Sequence, residues 1–229
     1  RILTDELSDY YFVTEPSGLK HLQKEGKDNS KIHFVGNTMI DTMVAYEKEI
    51  SASMVLSDLG IGKDKFVLMT MHRPATVDNK IELEKLIQLI EYVTINHKVV
   101  FPIHPRTIKN AKEFGLYERM IANKHLIYTE PLDYFSFQKL VKNCEFILTD
   151  SGGIQEESTY RQKPCLTLRP NTERPVTVDE GTNTLLDFDL EEIKTYIRQI
   201  EEGVYKKGTV PALWDGKATE RILSVLVNS

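Results

Sequence analysis

Cysteine is scarce in this 229-residue chain, and long apolar runs are missing. The two cysteines, Cys144 and Cys165, cannot form a disulfide framework; both lie among apolar residues, which predicts inert buried thiols in a reducing compartment. The six histidines are dispersed and lack ligand spacing to the cysteines, so we expect no zinc site. No apolar run approaches the ~18 residues that a membrane-spanning helix needs.

The composition that is present is that of a folded globular protein. Apolar residues make up 41% and charged residues 28% of the chain, which excludes general disorder. Lys and Arg total 29 against 34 Asp and Glu, a formal net charge of −5 at pH 7 that argues against bulk binding of nucleic acid. The length allows one large domain or two small ones at roughly 150 residues per domain. Because the first residue is Arg, we expect the chain to be a fragment or part of a longer one.

Short apolar runs alternate with stretches of helical periodicity. The run 66–71 is continuously apolar, as expected for a strand buried on both faces. Further strands are predicted at 10–14, 32–36, 99–103, 126–129, 146–149 and 165–168. Helices are predicted at 16–25, 40–49, 83–93, 109–121, 135–142, after 152, at 189–202 and at 218–227. This alternation predicts an α/β protein built of βαβ units around a mainly parallel sheet, with ligands bound beyond the carboxyl ends of the strands.

Four predicted strand ends carry cationic or phosphate-cradling residues, although the protein as a whole is acidic. In chain order these residues are His72 with Arg73, His104 with Arg106, the run DSGGIQEE from Asp150 to Glu157, and Arg169 with Glu173 and Arg174. One such pair would be weak evidence of a site. Four of them on one rim of a sheet favour an anionic ligand.

The DSGG run gives the clearest prediction of a binding site. Ser151, Gly152 and Gly153 lie where a predicted strand ends and a helix begins, and a helix N-terminus binds phosphate through its unpaired N–H groups and partial positive charge. The alternative is a serine cap with glycines for tight packing. Glu157 follows Gly153 by four residues, on the same helix face, where a carboxylate suits a ribose diol. The simpler interpretation of Glu156 is that its negative charge compensates the helix dipole. The same interpretation is the alternative to ribose binding for Glu157.

The remaining candidates each have a structural alternative. His72 is predicted to meet a diphosphate or a departing phosphate oxygen, or else to be a satisfied core histidine. Arg73 and Arg174 are phosphate contacts or ordinary surface charges. Phe137 is a core residue by its helical spacing, or it flanks a base. A Ser-His-Asp hydrolase is not expected, because Ser151 lacks the G-x-S-x-G elbow.

Several segments together resemble the non-hydrolysing UDP-N-acetylglucosamine 2-epimerases. They are HR at 72–73 followed by VDN at 77–79, EPLDY at 130–134, LTDSGGIQEE at 148–157, TERP at 172–175 and GNTMID at 36–41. The resemblance implies a two-domain glycosyltransferase-B-type fold that interconverts UDP-GlcNAc and UDP-ManNAc without a cofactor. UDP would be eliminated across C1–C2 to leave a 2-acetamidoglucal and would then re-add, with the proton delivered to the other face of C2.

The resemblance also implies individual roles. It implies that His72 is catalytic, that Ser151, Gly152 and Gly153 cradle the diphosphate, that Glu157 binds ribose, that Phe137 lies beside uracil, that Arg174 lies near the phosphates, and that Arg73 and His104 contact a phosphate or a second, regulatory UDP-GlcNAc. Two departures, HRPATVDN in place of HRxEN and Val176 in place of Glu after TERP, weaken the regulatory assignment more than the catalytic one. No metal, nucleic-acid or membrane partner is implied. The full-length protein is expected to be a cytoplasmic homodimer in polysaccharide biosynthesis.

The expected domain boundaries follow from the same resemblance. Residues 1–36 would be the remnant of an N-terminal Rossmann-like domain that is largely missing, 37–64 the interdomain connection, 65–215 the C-terminal UDP-binding Rossmann-like domain, and 216–229 a helix that packs back on the N-terminal domain. We therefore expect the chain by itself to bind UDP weakly and not to epimerise UDP-GlcNAc. The alternatives are a UDP-sugar glycosyltransferase of the same fold, a hydrolysing epimerase that releases ManNAc, and a non-catalytic binding module.

Overall fold

Parallel strands make up both sheets of the protein. The computed structural model describes residues 2–228. Within that range β1 (Tyr11–Val13) pairs with β2 (Ile32–Phe34), and a larger sheet contains β3 (Phe66–Thr70), β4 (Lys98–Pro102), β5 (Leu126–Thr129), β6 (Ile147–Thr149), β7 (Cys165–Leu168) and β8 (Asn183–Leu186). The order in the larger sheet is β5-β4-β3-β6-β7-β8, and each neighbouring pair is parallel. The predicted α/β class and parallel sheet are confirmed.

The larger sheet reverses its direction of growth between β3 and β6. Counted from β3, its strand order is the 3-2-1-4-5-6 order of a Rossmann-type sheet, which binds ligands in the crevice at the point of reversal. β3 and β6 end there side by side, and the hydroxyl oxygens of Thr70 and Thr149 lie 2.7 Å apart. The residues that follow these two strands are therefore neighbours in space, although they are far apart in the chain.

The helices lie mostly between consecutive strands. They are α1 (Ile2–Glu6), α2 (Pro16–Lys24), α3 (Thr38–Ala45), α4 (Glu47–Ala52), α5 (Val55–Asp58), α6 (Pro74–Val77), α7 (Lys80–Val93), α8 (Pro105–Glu113), α9 (Tyr117–Ile121), α10 (Tyr134–Asn143), α11 (Gly153–Tyr160), α12 (Pro175–Asp179), α13 (Leu190–Glu201) and α14 (Ala218–Val227). Of residues 2–228, no helical stretch combines the length and apolar character that a bilayer-crossing segment needs.

The sequence-based assignment misses the short helices α1, α5, α6 and α12, and it is also wrong at three other places. The single helix predicted over 109–121 is two helices, α8 and α9, because Gly115 takes a left-handed backbone conformation with φ of 72° between them. The helix predicted over 40–49 is likewise divided, into α3 and α4, at Tyr46. β8 was not predicted at all; it begins with Asn183, a polar residue that a buried strand seldom carries, here fully buried and hydrogen-bonded to Thr167.

The interior of the larger sheet fixes the position of the strand ends. Alternate residues of β3 enter opposite apolar clusters, with Val67 and Met69 on one face and Phe66 and Leu68 on the other. Each of the four is at most 1% exposed, and burying such a side chain contributes about 1.5–3 kcal/mol. The cluster that contains Phe66 also contains both cysteines, as predicted, and burial raises the pKa of the Cys144 thiol to about 12.

The C-terminal helix returns to the region around α3. The carboxylate of Asp41 on α3 accepts hydrogen bonds from the backbone N–H of Ala218 (3.0 Å) and of Thr219 (2.6 Å), so it caps the N-terminus of α14. Arg221 on α14 donates from Nη1 to the carbonyl oxygen of Val35 at 3.0 Å. These contacts join the last helix to the segment that follows β2.

Candidate functional site

A pocket of about 230 Å³ opens beyond the carboxyl ends of the central strands. It is lined by Thr70, Met71, His72, Pro102, His104, Pro131, Leu132, Phe137, Ser151 and Ile154. The fold therefore brings four predicted site residues, from four different strand ends or following helices, to one crevice. The imidazole centroids of His72 and His104 lie 5.9 Å apart across it.

Two guanidinium groups lie over the glycine turn at the start of α11. Gly152 directly precedes α11, which begins at Gly153. A Cβ atom added to Gly152 would lie 3.1 Å from Nη1 of Arg174 and 3.7 Å from Nη1 of Arg169. Arg169 is only 7% exposed and is held by Glu173 at 2.9 Å. Because the helix N-terminus and both guanidinium groups are positive, this turn, which we call the cradle (Ser151, Gly152 and Gly153), suits an anionic ligand.

Asp150 anchors the loop that carries His72. The carboxylate is fully buried and accepts hydrogen bonds from the backbone N–H of His72 (3.0 Å), the backbone N–H of Arg73 (2.8 Å) and the hydroxyl of Thr76 (3.0 Å). Nδ1 of His72 lies 3.1 Å from the same carboxylate, which leaves Nε2 for the pocket. Burial opposes ionisation of Asp150, but these hydrogen bonds, with that from His72 foremost, outweigh it and lower its pKa. The hydrogen bond to Asp150 in turn raises the pKa of His72.

Glu157 is a nearly buried carboxylate one turn along α11. Burial raises the pKa of Glu157 to about 7, while the neighbouring Gln138 amide acts to lower it. Gln138 is fully buried next to Glu157, yet its amide atoms make no hydrogen bond of good geometry within residues 2–228. At neutral pH the Glu157 carboxyl is therefore close to its titration midpoint, and a ligand that donates hydrogen bonds to it would favour the ionised form.

Glu156 has specific partners that dipole compensation does not explain. Its Oε2 lies 2.7 Å from Nε of Arg174, and its Oε1 accepts a hydrogen bond of 2.9 Å from Nδ2 of Asn37. Arg174, interpreted from sequence as a phosphate contact or a surface charge, thus lies at the cradle and is held there by a buried carboxylate. The two adjacent glutamates of α11 have different surroundings.

Arg73 and His104 both lie at helix N-termini on the rim of the pocket. Arg73 directly precedes α6, and its positive charge acts to lower the pKa of His72. His104 caps α8 by accepting at Nδ1 a 3.2 Å hydrogen bond from the backbone N–H of Arg106, whose side chain pairs with Asp78. The segment from His104 to Arg106 therefore has in part a structural role, while the His104 ring still lines the pocket.

Sequence reasoning gave no role to Gln138 and Asn37, which help to shape the site. It included Asp150 and Arg169 only as members of groups at the strand ends, without an individual role. Asp150 had a usable signal, because it is the first polar residue after a buried strand and directly precedes the glycine turn. Gln138 had none, since its burial beside Glu157 depends on how α10 packs. Within the described part of the chain, no group of three or more His, Cys, Asp or Glu side chains is arranged to hold a metal ion.

Comparisons with known proteins find relatives along the whole chain. A sequence model of a family described as UDP-N-acetylglucosamine 2-epimerase matches residues 1–227. The UDP-N-acetylglucosamine 2-epimerase of Methanocaldococcus jannaschii is 39% identical over 233 residues, 99% of this chain and 63% of that protein. The UDP-2,3-diacetamido-2,3-dideoxy-D-glucuronate 2-epimerase of Pseudomonas aeruginosa is 32% identical over 189 residues, 81% of this chain and 51% of that protein.

A solved structure shows the same fold with ligands. The crystal structure of Methanocaldococcus jannaschii UDP-GlcNAc 2-epimerase in complex with UDP-GlcNAc and UDP aligns with a TM-score of 0.84 at 37% identity. The alignment covers 100% of this chain and 64% of that one. This chain thus spans less than two thirds of the length of each of these relatives.

Proposed function

The chain belongs to the UDP-N-acetylglucosamine 2-epimerase family, and on that premise we propose that it is the UDP-binding part of an enzyme that interconverts UDP-GlcNAc and UDP-ManNAc. The observation that carries the proposal is the cradle, where the N-terminus of α11 meets the guanidinium groups of Arg169 and Arg174. A diphosphate carries the charge that this arrangement stabilises. Glu157 lies one turn further along α11, where its carboxylate would accept hydrogen bonds from the two ribose hydroxyls.

The other residues of the pocket have roles in the same proposal. Phe137 would lie beside the uracil ring, and Ser151 would bind the diphosphate. Arg73 and His104 would contact a phosphate or a second UDP-GlcNAc on the rim. As the family resemblance implies, we also propose that the full-length enzyme is a cytoplasmic homodimer that acts in polysaccharide biosynthesis.

His72 would act on the leaving group. In the elimination step, the C1–O bond breaks with its electron pair going to the UDP oxygen, the C2 proton goes to a base, and a C1–C2 double bond forms. Negative charge then develops on the diphosphate. A protonated His72, held by Asp150 and with its pKa raised by that contact, would stabilise this charge through Nε2. Re-addition of UDP to C1, with protonation of C2 on the other face, would give the epimer.

We further propose that residues 1–229 by themselves bind UDP without epimerising UDP-GlcNAc. Three carboxylates around the cradle are already engaged: Asp150 by His72 and Arg73, Glu156 by Asn37 and Arg174, and Glu173 by Arg169. Glu157 is assigned to ribose. A C2 base must reach a carbon-bound proton at hydrogen-bond distance, and none of these four is placed for that in the proposed arrangement.

The test combines binding and turnover. Calorimetry should show that UDP and UDP-GlcNAc bind to the chain, and ADP is the control nucleotide with a different base. In a second experiment, NMR in heavy water should follow UDP-GlcNAc with the chain and without any sugar acceptor. Binding with no deuterium at C2 supports both proposals, and UDP-ManNAc formation supports the epimerase but refutes the inactivity of the chain alone. Release of UDP together with free ManNAc would identify a hydrolysing epimerase, and turnover only with an added sugar acceptor would identify a glycosyltransferase. If neither UDP nor UDP-GlcNAc binds to the chain, the proposed function is refuted.

A further inference from the structure

Arg174 is positioned by contacts that begin outside the cradle. Its side chain is 31% exposed, and its Nε edge lies against Glu156, 2.7 Å from Oε2. Its Nη1 atom is the one nearest to a Cβ placed on Gly152, at 3.1 Å. The guanidinium therefore places its Nε edge at Glu156, while Nη1 faces the cradle and also lies 3.7 Å from Oε2 of Glu173.

Glu156 has a charged or polar partner at each of its oxygens, an ion pair with Arg174 that lacks hydrogen-bond alignment at Oε2 and a hydrogen bond from Asn37 at Oε1. The Glu156 side chain is 8% exposed, and Oε1 accepts the 2.9 Å hydrogen bond from Nδ2 of Asn37. Asn37 is 3% exposed and caps α3, where its Oδ1 accepts a 2.9 Å hydrogen bond from the backbone N–H of Met39. That cap determines which end of the amide faces Glu156, so the Asn37 orientation is set by the backbone.

This arrangement restricts the motion of the Arg174 side chain, but the Glu156 carboxylate reduces the net positive charge near the cradle. A flexible arginine must lose side-chain freedom when it binds a phosphate, and prior immobilisation removes part of that loss. The Glu156 carboxylate also offsets part of the positive charge that faces the diphosphate. A buried carboxylate next to an anion site would weaken binding if it did not orient the cation, because it repels the ligand.

We propose that Asn37 and Glu156 are positioning residues that orient the Arg174 guanidinium toward the diphosphate of a UDP-sugar. This inference rests on the proposed function of the cradle. Neither residue touches the ligand in this proposal. Their whole effect on binding passes through Arg174, and this separates a positioning role from a general role in packing α3 against α11.

The first test is a double-mutant cycle on binding of UDP-GlcNAc. In Glu156→Gln a single amide oxygen faces the two donors, Nδ2 of Asn37 and Nε of Arg174, so one of them meets an NH₂ group. The dissociation constant should rise on the order of tenfold, because Arg174 loses the charged partner that orients its guanidinium. In an Arg174→Ala background the same substitution should change it by less than about twofold, because coupled residues are not additive. Glu191→Gln, on the exposed side of α13, is the matched control, and it should leave the dissociation constant of UDP-GlcNAc unchanged.

Uridine is the second probe, since it has the base and ribose but no phosphate. Glu156→Gln should leave uridine affinity unchanged. Weakening of uridine and UDP-GlcNAc by the same factor, or an additive effect in the Arg174→Ala background, would overturn the inference and indicate distortion of α11. If the unmodified chain binds neither UDP nor UDP-GlcNAc, the proposed function fails first, and the two failures are thereby distinguished.

The third test restores the contacts of residue 156 and moves the negative charge to residue 37. In Asn37→Asp combined with Glu156→Gln, one oxygen of residue 37 still caps α3 and the other accepts from the new amide, whose own oxygen accepts from Arg174. UDP-GlcNAc affinity should recover to within about threefold of the unmodified chain, because each donor again has an acceptor. A double variant as weak as Glu156→Gln alone would refute the role of Asn37.

Discussion

Replacing the buried Asp150 by Asn tests how the loop that carries His72 is held. The carboxylate is fully buried and receives hydrogen bonds from the backbone N–H of His72, the backbone N–H of Arg73 and the hydroxyl of Thr76. Asparagine has nearly the same shape. Its single amide oxygen can keep the three donors that reach Oδ2, and its NH₂ group then faces Nδ1 of His72. The substitution thus removes charge while it leaves packing intact.

The magnitude follows from the strength of these hydrogen bonds. Bonds to a charged acceptor contribute about 1.5–3 kcal/mol, against about 0.5–1.5 kcal/mol for neutral ones. The weaker hydrogen bonds from three donors lower the free energy of unfolding. Part of that decrease is offset, because the asparagine carries no charge that must be desolvated on folding, so we expect the free energy of unfolding to fall by about 2 kcal/mol. For a chain of this size that loss corresponds to a Tm lower by about 4–8 °C. The pKa of His72 should also fall toward its ordinary value, because its main raising partner is gone.

The pH dependence has a definite sign. The lowered pKa of Asp150 means that its contribution to stability is present above its unfolded value of 3.8 and is lost as pH falls through the folded value. The raised pKa of His72 means that its contribution is present below 6.5 and is lost as pH rises through the folded value. The stability difference between the parent and Asp150→Asn should therefore be largest between these two limits and smaller at higher pH.

Thermal unfolding across this pH range and an NMR titration of the His72 ring protons measure both effects. Asp187→Asn, at an exposed position, is the control for loss of a carboxylate. An unchanged His72 pKa in Asp150→Asn would refute the electrostatic part of the reasoning. An unchanged Tm would show that the hydrogen bonds to Asp150 contribute nothing beyond those of a neutral amide.

Three further predictions concern ligand affinity, turnover and backbone conformation. Because the pKa of Glu157 is about 7, the ratio of the UDP-GlcNAc dissociation constants of Glu157→Gln and the parent should grow from near one at about pH 5.5 to on the order of tenfold at about pH 8, measured by calorimetry. A pH-independent ratio would contradict the ribose assignment. In the enzyme of which we propose this chain is part, His72→Ala should lower kcat on the order of 10²–10³-fold with much less effect on UDP affinity; a rise in KM with kcat within about twofold would argue for uniform binding instead. Gly36→Ala should unfold at a lower temperature than Gly26→Ala, although both positions have a left-handed φ, because an added Cβ would lie 2.1 Å from the carbonyl oxygen of Leu213 at Gly36 and within 4 Å of nothing at Gly26. We expect about 1–3 kcal/mol between the two variants from overpacking, and equal stabilities would show that the backbone shifts freely.

Local physical chemistry allowed the sequence alone to determine the class of fold and to predict the place of the candidate site. The apolar run at Phe66 had to be a strand buried on both faces. The helix predicted over 189–202 begins at Leu190, where the Asp189 carboxylate accepts hydrogen bonds from the N–H groups of Glu191 and Glu192. The glycine turn of DSGG had to lie between a strand and a helix. Each of these conclusions depends on side-chain periodicity or on groups within a few residues of one another, and the parallel arrangement then placed the strand ends on one rim.

Only the tertiary structure decided which residues act on one another across that rim. Asp150 reaches His72 over 78 residues, and Asn37 reaches Glu156 over 119. Both contacts depend on the order of the strands and on the packing of α3 against α11, which no local pattern encodes. The same holds for Gln138 of α10, whose amide lies next to Glu157 of α11 although the two residues are far apart in the chain. The sequence could therefore identify groups suited to bind a nucleotide, but the pairing that sets their charge and orientation arises from long-range packing.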